Sequence, residues 1–322
     1  MTYLITGGTG LIGSRIVRDL VREGNHVVAY DFVPDIPALE RVLNRREIAD
    51  FVKTVHGDVT DFPCVIRAIK ENQVDRVIHL AGLLQVGAEA NPLLAVKVNC
   101  EGTANIFEAA RFLGLKKVVW ASSSSVFGPQ AMYPQEYLPN DAPHYPQNLY
   151  GAAKSFCENI AAHYSKQYNM DIIGLRYTIV YGAGQARSSG AAIMRELVFN
   201  PALGKPGRVP SPGALSWMYV DDAARVSVLA SKVGKTKTRA FSIMGEIYSI
   251  EEVAAYVREI LPGADITVLP LGPSAAAAGG QAWKYDTKLV EEEIGYRPQW
   301  SMQRGIKETI NAVRRENGLA EI

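Results

Sequence analysis

A glycine-rich segment near the start of the chain constrains the fold more than any other feature of the sequence. Residues 6–13 read Thr-Gly-Gly-Thr-Gly-Leu-Ile-Gly, directly after the apolar run Tyr3–Thr6 and directly before apolar residues at helical spacing. In this strand–turn–helix order, glycine lets the backbone turn tightly and approach a pyrophosphate. The segment therefore predicts dinucleotide binding, and we expect its contacts to come from Gly7, Gly10, Leu11, Ile12 and Gly13.

An acidic residue at the end of the next strand pattern bears on the type of dinucleotide. Asp31 ends the run His26–Asp31, 18 residues after Gly13. A carboxylate at this point accepts hydrogen bonds from a ribose 2′-hydroxyl and repels a 2′-phosphate. No Arg or Lys follows directly to meet such a phosphate. The sequence therefore predicts NAD, rather than NADP, as the cofactor.

Strand and helix patterns alternate through the first half of the chain. Strands are expected at Tyr3–Thr6, His26–Asp31, Phe51–His56, Arg76–Leu80, Lys117–Ser122, Ile172–Arg176 and Phe241–Ile243. Helices are expected at Gly13–Glu23, Cys64–Asn72, Val98–Leu113 and Tyr150–Tyr164. This alternation predicts an α/β fold, a Rossmann-type doubly wound parallel sheet.

The character of the chain changes after Arg176, where loops rich in Gly, Pro and Ser appear. This change predicts a smaller C-terminal substrate-binding lobe beside the sheet. We assign residues 1–175 to a dinucleotide-binding domain, with the sheet revisited near 218–245, and residues 176–322 mainly to the substrate-binding lobe. The low-complexity segment Ser274–Gly280 is interpreted as a flexible surface loop, or alternatively as a lid.

Composition argues against several functional classes. The 34 Lys and Arg residues nearly balance the 33 Asp and Glu residues, so the basic excess of a nucleic-acid-binding protein is missing. The longest apolar stretch, Val77–Ala88, falls short of the roughly 18 residues that a membrane span requires. Three scattered cysteines form no disulfide framework or Cys-x-x-Cys metal site, and the N-terminus lacks a basic signal region. We expect a cytoplasmic protein without nucleic-acid or membrane partners and without a metal.

A tyrosine and a lysine four residues apart indicate proton-transfer chemistry. Tyr150 and Lys154 lie on one face of a predicted helix. A free phenol has a pKa of about 10, so a nearby ammonium group is needed to favour the phenolate near neutral pH. Such a tyrosine exchanges a proton with a substrate hydroxyl or carbonyl. The same spacing occurs by chance on surface helices, so its interpretation depends on the other motifs.

Eight motifs follow one another along nearly the whole chain. They are Thr6–Gly13, Gly57–Asp61, His79–Gly82, Asn99–Asn105, Ser122–Gly128, Tyr150–Lys154, Leu175–Tyr177 and Tyr219–Asp222. In this order they resemble the extended short-chain dehydrogenase/reductases, also called the NAD-dependent epimerase/dehydratase family. The resemblance implies an NAD-dependent enzyme in which Tyr150 and Lys154 are catalytic.

The resemblance also implies which hydroxyl holds the reacting oxygen against Tyr150. The family's catalytic Ser or Thr stands three residues before the Val of a Val-Phe-Gly or Val-Tyr-Gly motif, and this position is Ser123 here. Ser124 and Ser125 remain alternatives for that role and are expected to contact the substrate. The expected catalytic set is therefore Ser123, Tyr150 and Lys154.

Further cofactor contacts are implied by the resemblance alone. Asp58 and Val59 resemble the residues that contact the adenine ring, and Asn99 resembles the asparagine that supports the active-site helix. Tyr150 and Lys154 also belong to the cofactor-binding set, since Lys154 reaches the nicotinamide ribose. The residues expected to line the cofactor after the fourth strand are Leu80, Ala81 and Gly82.

The chain departs from the family's sugar-nucleotide members at three places. Ser124-Ser125 replaces the Asp-Glu pair of the 4,6-dehydratases, so dehydration is not expected. Ile179 stands where those members carry an Asn that meets the diphosphate, and Leu215 stands where they tend to carry an Arg. We therefore expect a dehydrogenase that interconverts a secondary alcohol and a ketone on a small polar substrate, namely a hydroxy acid, a sugar or sugar acid, or a hydroxy amino acid. A nucleotide-sugar 4-epimerase is the alternative, and a non-catalytic NAD-binding regulator is a third possibility.

The remaining expectations concern substrate contacts and assembly. Thr178, Arg187 and Trp217 are expected to contact the substrate, although core packing explains Trp217 equally well. Arg187, Arg195 or Arg208 could substitute for the missing diphosphate-binding groups, although solvation explains these loop arginines equally well. The acidic pair Asp221-Asp222 is expected to begin a helix rather than to bind metal.

The two predicted helices Asn99–Leu113 and Tyr150–Tyr164 carry apolar residues on more than one face, which predicts a homodimer. The apolar and small residues in question are Ala104, Phe107, Ala110, Ala153, Phe156 and Ile160.

Overall fold

The computed structural model describes residues 1–129, 132–184, 189–211, 213–270 and 284–322. The expectations at Arg187 and at Ser274–Gly280 lie outside these described residues. No described helix has the length and apolarity required to cross a bilayer.

The strands of the described residues form one large sheet and three small ones. In chain order they are β1 (Thr2–Thr6), β2 (His26–Asp31), β3 (Val52–His56), β4 (Arg76–His79), β5 (Lys117–Ser123), β6 (Tyr137–Leu138), β7 (Ile172–Tyr177), β8 (Ile179–Tyr181), β9 (Gly207–Pro210), β10 (Ala214–Tyr219), β11 (Ala240–Ser242), β12 (Glu246–Ser249), β13 (Ile266–Leu269) and β14 (Lys284–Tyr285).

Helices connect most of these strands. They are α1 (Leu11–Arg22), α2 (Ile36–Glu40), α3 (Arg45–Phe51), α4 (Phe62–Glu71), α5 (Gln85–Ala90), α6 (Pro92–Ala95), α7 (Gly102–Phe112), α8 (Leu149–Gln167), α9 (Ser189–Met194), α10 (Asn200–Ala202), α11 (Val220–Lys232), α12 (Ile250–Ile260), α13 (Lys288–Ile294) and α14 (Met302–Glu316). A π-helical turn, Val96–Glu101, joins α6 to α7, and another, Arg195–Phe199, joins α9 to α10.

The large sheet is parallel and has the strand order β11-β7-β5-β4-β1-β2-β3. Its two faces are covered by separate apolar clusters. Leu4 and Ile5, neighbours on β1, are both fully buried but belong to different clusters, because successive strand residues point to opposite faces. Helices α1 and α11 pack on the Ile5 side, and α4, α7 and α8 pack on the Leu4 side. This arrangement confirms the predicted doubly wound α/β fold.

A third apolar cluster forms the centre of the C-terminal part of the chain. The three-stranded sheet β12-β10-β8 packs there against helices α12 and α14. A pair of parallel strands, β9 and β13, lies beside it. Strand β11 returns to the large sheet next to β7.

The topology places the candidate site at one edge of the large sheet. Because the strands are parallel, their carboxyl ends lie at the same edge, which is where ligands bind in such folds. Asp31 and four of the motif residues, namely Thr6, His79, Ser123 and Tyr177, stand at these ends.

Candidate active site

The glycine turn between β1 and α1 is too tightly packed for side chains. Gly7 has a φ of +68°, which favours glycine, and a Cβ on it would lie 3.2 Å from the amide nitrogen of Ala81. A Cβ on Gly13 would lie 2.1 Å from the carbonyl oxygen of Gly7. Gly10 begins α1 without a side-chain cap, so the amides of the first turn are open to an anionic ligand. This cradle fits the pyrophosphate of a dinucleotide.

The first two residues of α1 are partly buried. Leu11 and Ile12 both pack against the C-terminal apolar cluster. Ile12 also packs against the apolar cluster on the Ile5 face of the large sheet. The glycine turn is therefore anchored to both parts of the chain. A cofactor contact at Leu11 and Ile12 stays a prediction.

Asp31 at the end of β2 is held by the glycine turn. The backbone amide and the hydroxyl of Thr9 donate to its Oδ2 over 3.2 Å and 2.7 Å. Within the described part of the chain only Oδ2 is engaged, so Oδ1 can accept from a ribose hydroxyl. The same Thr9 hydroxyl accepts from the amide of Asp35 over 3.0 Å, which fixes the loop after Asp31.

We expect Asp31→Ser to weaken NAD binding and to narrow the preference for NAD over NADP. The substitution removes the acceptor for the ribose hydroxyl and the negative charge that repels a 2′-phosphate. Dissociation constants for NADH and NADPH, measured by fluorescence titration of both proteins, check this. An unsubstituted protein that prefers NADPH would contradict the assignment of Asp31.

The predicted adenine-contacting residues follow β3. The Oδ1 of Asp58 accepts from the amide of Thr60 over 2.8 Å, and its carbonyl oxygen accepts from the Tyr30 hydroxyl over 2.8 Å. Val59 is buried against α7, where a Cβ on Gly102 would lie 2.6 Å from its Cγ2. These contacts place both residues at the cofactor edge of the sheet, and contact with the adenine stays a prediction.

The segment Leu80–Gly82 after β4 lies beside the glycine turn. The Thr6 hydroxyl accepts from the amides of Leu80 and Ala81, each over 3.2 Å. Asn99 holds the next residue: its Oδ1 accepts from the amide of Leu83 over 2.7 Å, and its Nδ2 donates to the Leu83 carbonyl over 2.9 Å. Asn99 lies in the π-helical turn before α7, a feature that is frequent at functional sites and that the sequence pattern did not predict.

The serine run ends β5 and turns sharply. The amide of Ser125 and the Ser125 hydroxyl each lie 3.1 Å from the Oγ of Ser123. Ser124 contacts the hydroxyl of Tyr285. Ser122 is committed elsewhere, because it donates to the buried carboxylate of Glu158 over 2.6 Å. Ser123, Ser124 and Ser125 therefore remain the candidates for contact with a reacting oxygen.

Helix α8 brings Tyr150 and Lys154 to this serine run. The side chain of Asn148 caps the helix by accepting from the amide of Gly151 over 2.8 Å. A Cβ on Gly151 would lie 2.1 Å from the carbonyl oxygen of Ser125, so only glycine permits this approach. The close contact places the start of α8 beside Ser125, two residues after the predicted catalytic Ser123.

Lys154 is buried and oriented towards Tyr150. It is 4% exposed, and its Nζ donates to the carbonyl of Ala121 over 2.6 Å. The same Nζ lies 5.6 Å from the centre of the Tyr150 ring. An ammonium group near a phenol has the charge that favours the phenolate.

A buried polar network behind the site fixes α8 and was not predicted from the sequence. The guanidinium of Arg176 donates to both carboxylate oxygens of Glu158, over 2.8 Å and 2.6 Å. It also donates to the carbonyl of Asn140 over 2.6 Å and lies 3.3 Å from Nε2 of His144. Burial, reinforced by the positive charge of Arg176, lowers the pKa of His144. Arg176 is thus engaged within the protein and is not available to a substrate anion.

The predicted substrate residues fall into different environments. The hydroxyl of Thr178, after β7, is buried and has no hydrogen-bond partner among the described residues. Ile179 and Leu215 are partly buried against the C-terminal cluster. Arg208 makes two bonds of 3.0 Å to the carboxylate of Asp265, and Arg195 is exposed.

Trp217, for which both a substrate contact and core packing are expected, lies in the interior. Trp217 is only 2% exposed and belongs to the C-terminal cluster. Its indole nitrogen donates to the carbonyl of Tyr248 over 2.9 Å, and its ring contacts the edge of Tyr181. These contacts favour the core-packing interpretation, and a substrate contact at Trp217 stays a prediction.

The two acidic residues after β10, Asp221 and Asp222, form contacts within the protein. Asp221 forms an ion pair with Arg18, and Asp222 accepts from the backbone amides of Gln299 and Trp300. Over the described ranges, no group of three or more His, Cys, Asp and Glu side chains could hold a metal ion.

Comparison with known proteins shows similarity over nearly the full length. The model of the NAD dependent epimerase/dehydratase family matches residues 3–248. UDP-glucuronate 4-epimerase of Thermodesulfobacterium geofontis is 29% identical and covers 96% of this chain and 95% of its own. UDP-glucose 4-epimerase of Neisseria meningitidis serogroup C is 28% identical and covers 92% of each chain.

Solved structures agree with this similarity. The Thermus thermophilus UDP-glucose 4-epimerase complex with NAD is 25% identical, has a TM-score of 0.81, and covers 98% of this chain and 99% of its own. A partial consensus L-threonine 3-dehydrogenase shares the fold, with a TM-score of 0.83 at 22% identity over 96% of this chain and 98% of its own.

Proposed function

Because this chain belongs to the NAD-dependent epimerase/dehydratase family, we propose that it is a nucleotide-sugar 4-epimerase. Curated relatives that match it over more than nine-tenths of its length include UDP-sugar 4-epimerases. They support this function better than they support the small-substrate dehydrogenase predicted from Ile179 and Leu215. The observation that carries the chemistry is the buried Lys154 ammonium, 5.6 Å from the Tyr150 ring.

The residues of the site account for both halves of such a reaction. When bound, NAD supplies a nicotinamide that accepts a hydride from carbon and returns it. Tyr150, as the phenolate, takes the hydroxyl proton while the carbon gives up its hydride, which leaves a ketone. Ser123 donates a hydrogen bond to that oxygen, and Lys154 stabilises the phenolate. In the return step Tyr150 gives the proton back to the ketone oxygen, and reduction from the opposite face inverts the carbon.

A second candidate function is supported by the residues at the two positions where sugar-nucleotide members bind a diphosphate. Ile179 and Leu215, both partly buried against the C-terminal cluster, stand where sugar-nucleotide members carry groups for a diphosphate. Arg208, a possible substitute, is already paired with Asp265. These observations favour a dehydrogenase acting on a small polar substrate without a nucleotide.

The fate of the cofactor distinguishes the candidates. The purified protein is incubated with NAD and, separately, UDP-glucose, UDP-glucuronate, free sugars, aldonates and hydroxy acids. Absorbance at 340 nm reports net NADH, and chromatography reports the epimeric UDP-sugar. We expect an epimeric UDP-sugar without accumulation of NADH. Accumulation of NADH with a nucleotide-free substrate would replace the epimerase by the dehydrogenase, and no reaction in the presence of bound NADH would favour a regulator.

We also propose that the protein is a homodimer. Helices α7 and α8 leave a groove of about 340 Å³ on their outer side, lined by Ala104, Phe156, Asn159, Ile160, His163 and Tyr164. Phe156 is 52% exposed, whereas Phe107, Ala110 and Ala153 are covered within the chain. A second copy of the helix pair would remove this apolar groove from water.

We expect light scattering to give about twice the chain mass of 35.1 kDa at micromolar concentration. Phe156→Asp places an unpaired charge in the interface and should return the mass to that of one chain. Phe112→Asp, a change at another exposed apolar residue, is the control. A monomeric unsubstituted protein would contradict the proposal.

A further inference from the structure

His79 is a buried titratable residue that the proposed chemistry does not use. It ends β4, is 1% exposed, and lies between Thr6 at the end of β1 and Thr103 in the first turn of α7. Its Nδ1 is 2.6 Å from the Thr6 hydroxyl, and its Nε2 is 3.0 Å from the Thr103 hydroxyl. Both ring nitrogens are therefore engaged by groups that can donate or accept.

The donor and acceptor in each hydrogen bond of the His79 ring follow from the backbone carbonyl of Asn99. The backbone oxygen of Asn99 can only accept, so the Thr103 hydroxyl donates its single proton to it over 2.6 Å. Thr103 must then accept from Nε2–H of His79. Neutral His79 carries no proton on Nδ1, so this atom accepts from the Thr6 hydroxyl. The lone pairs of that hydroxyl remain for the amides of Leu80 and Ala81.

Protonation of His79 would disrupt this arrangement. A proton on Nδ1 would face the Thr6 hydroxyl, whose lone pairs already accept two amides. Burial, reinforced by the positive charge of Lys154, lowers the pKa of His79 to about 3. The ring therefore stays neutral, with its proton on Nε2, near neutral pH.

These hydrogen bonds connect the two side chains that hold residues 80–83, the segment predicted to line the cofactor. We call these side chains, the Thr6 hydroxyl and the Asn99 amide, the two clamps. Thr6 holds Leu80 and Ala81, and Asn99 holds Leu83. Between the clamps lies Gly82, where a Cβ would be 3.1 Å from Oδ1 of Asn99 and 3.9 Å from Nζ of Lys154. His79 contacts the first clamp directly and reaches the second through Thr103.

We propose that His79 is a positioning residue: it orients the Thr6 hydroxyl and, through Thr103, the Asn99 turn, and so fixes residues 80–83 between the cofactor cradle and Lys154. It touches neither substrate nor cofactor. Its effect passes through the backbone amides of Ala81 and Leu83, because the Leu80 amide is also held by the Thr6 carbonyl over 3.0 Å.

Two substitutions separate the hydrogen bond of His79 with Thr6 from its hydrogen bond with Thr103. In His79→Asn the side-chain oxygen can take the place of Nδ1, so the bond from Thr6 is kept and the bond to Thr103 is lost. In His79→Gln the side-chain amide can take the place of Nε2–H, so the opposite bond is kept. Ile78→Val, a buried change on the same strand without polar contacts, is the control for general loss of stability.

The measurements are NADH affinity by fluorescence titration and amide hydrogen exchange of residues 80–83, both on the full chain. We expect His79→Gln to weaken NADH binding about tenfold and to speed exchange at Ala81, because Thr6 loses its acceptor. The Leu80 amide keeps its bond of 3.0 Å to the Thr6 carbonyl and should stay protected. We expect His79→Asn to bind NADH within about threefold of the unsubstituted protein and to speed exchange at Leu83 instead. Ile78→Val should change neither quantity.

Equal behaviour of the two His79 variants and Ile78→Val would overturn the proposal, because it would reduce His79 to a packing residue. If the His79 variants do not fold, Thr103→Val decides. Faster exchange at Leu83 with Leu80 and Ala81 still protected supports the connection, and unchanged exchange rejects it. Neither measurement requires a substrate, so failure here is distinct from failure of the proposed epimerase activity.

Discussion

Tyr150→Phe is expected to lower turnover by roughly 10² or more while the affinity for NADH stays within a few-fold of that of the unsubstituted protein. The phenylalanine ring fills the same space beside Lys154 but can neither take the hydroxyl proton nor return it. Lys154 keeps its bond to the Ala121 carbonyl, so the packing of α8 should persist. Initial rates at saturating NAD, with the substrate found in the panel above, check the prediction.

Tyr168→Phe is the matched control for this substitution. Tyr168 follows α8 and is 47% exposed. Its substitution also removes a phenol hydroxyl, but at the opposite end of the helix from the serine run. Its turnover should equal that of the unsubstituted protein. If Tyr150→Phe also retained turnover within a few-fold, Tyr150 could not be the proton-transfer group.

Gly151→Ala is expected to reduce turnover by about 10², because a shift of about 1 Å at a catalytic group has this effect. The new Cβ would lie 2.1 Å from the carbonyl oxygen of Ser125 and 3.2 Å from Cβ of Pro146. Either the start of α8 or the serine turn must move, so Tyr150 and Ser123 separate. The glycine cradle is untouched, and NADH affinity should change much less than turnover.

Gly234→Ala provides the control for adding a methyl group. No atom lies within 4 Å of the Cβ position at Gly234, so this change should leave both turnover and the melting temperature nearly unchanged. A Gly151→Ala protein with normal turnover would show that the contact between α8 and Ser125 is not needed to align the site.

The features that sequence reasoning could predict are those encoded within a few neighbouring residues. The glycine turn, the alternation of strands and helices, and the spacing of Tyr150 and Lys154 depend on local backbone geometry and on helical periodicity. For this reason the doubly wound sheet and the serine run at the end of β5 agree with the structure. The short helices α2 and α3 carry too few apolar positions to be detected in this way.

The features that only the tertiary structure decided are contacts between residues far apart in the chain. The Ser122 hydroxyl is engaged by Glu158, 36 positions later, and the Trp217 indole by the carbonyl of Tyr248. The approach of Gly151 to Ser125, and the position of His79 between Thr6 and Thr103, likewise arise where separate helices and strands pack together. Local sequence sets which backbone conformations and side-chain groups are available. Which of those groups meet is determined by close packing of the whole chain, because each buried polar atom must find its partner among the elements that the packing brings beside it.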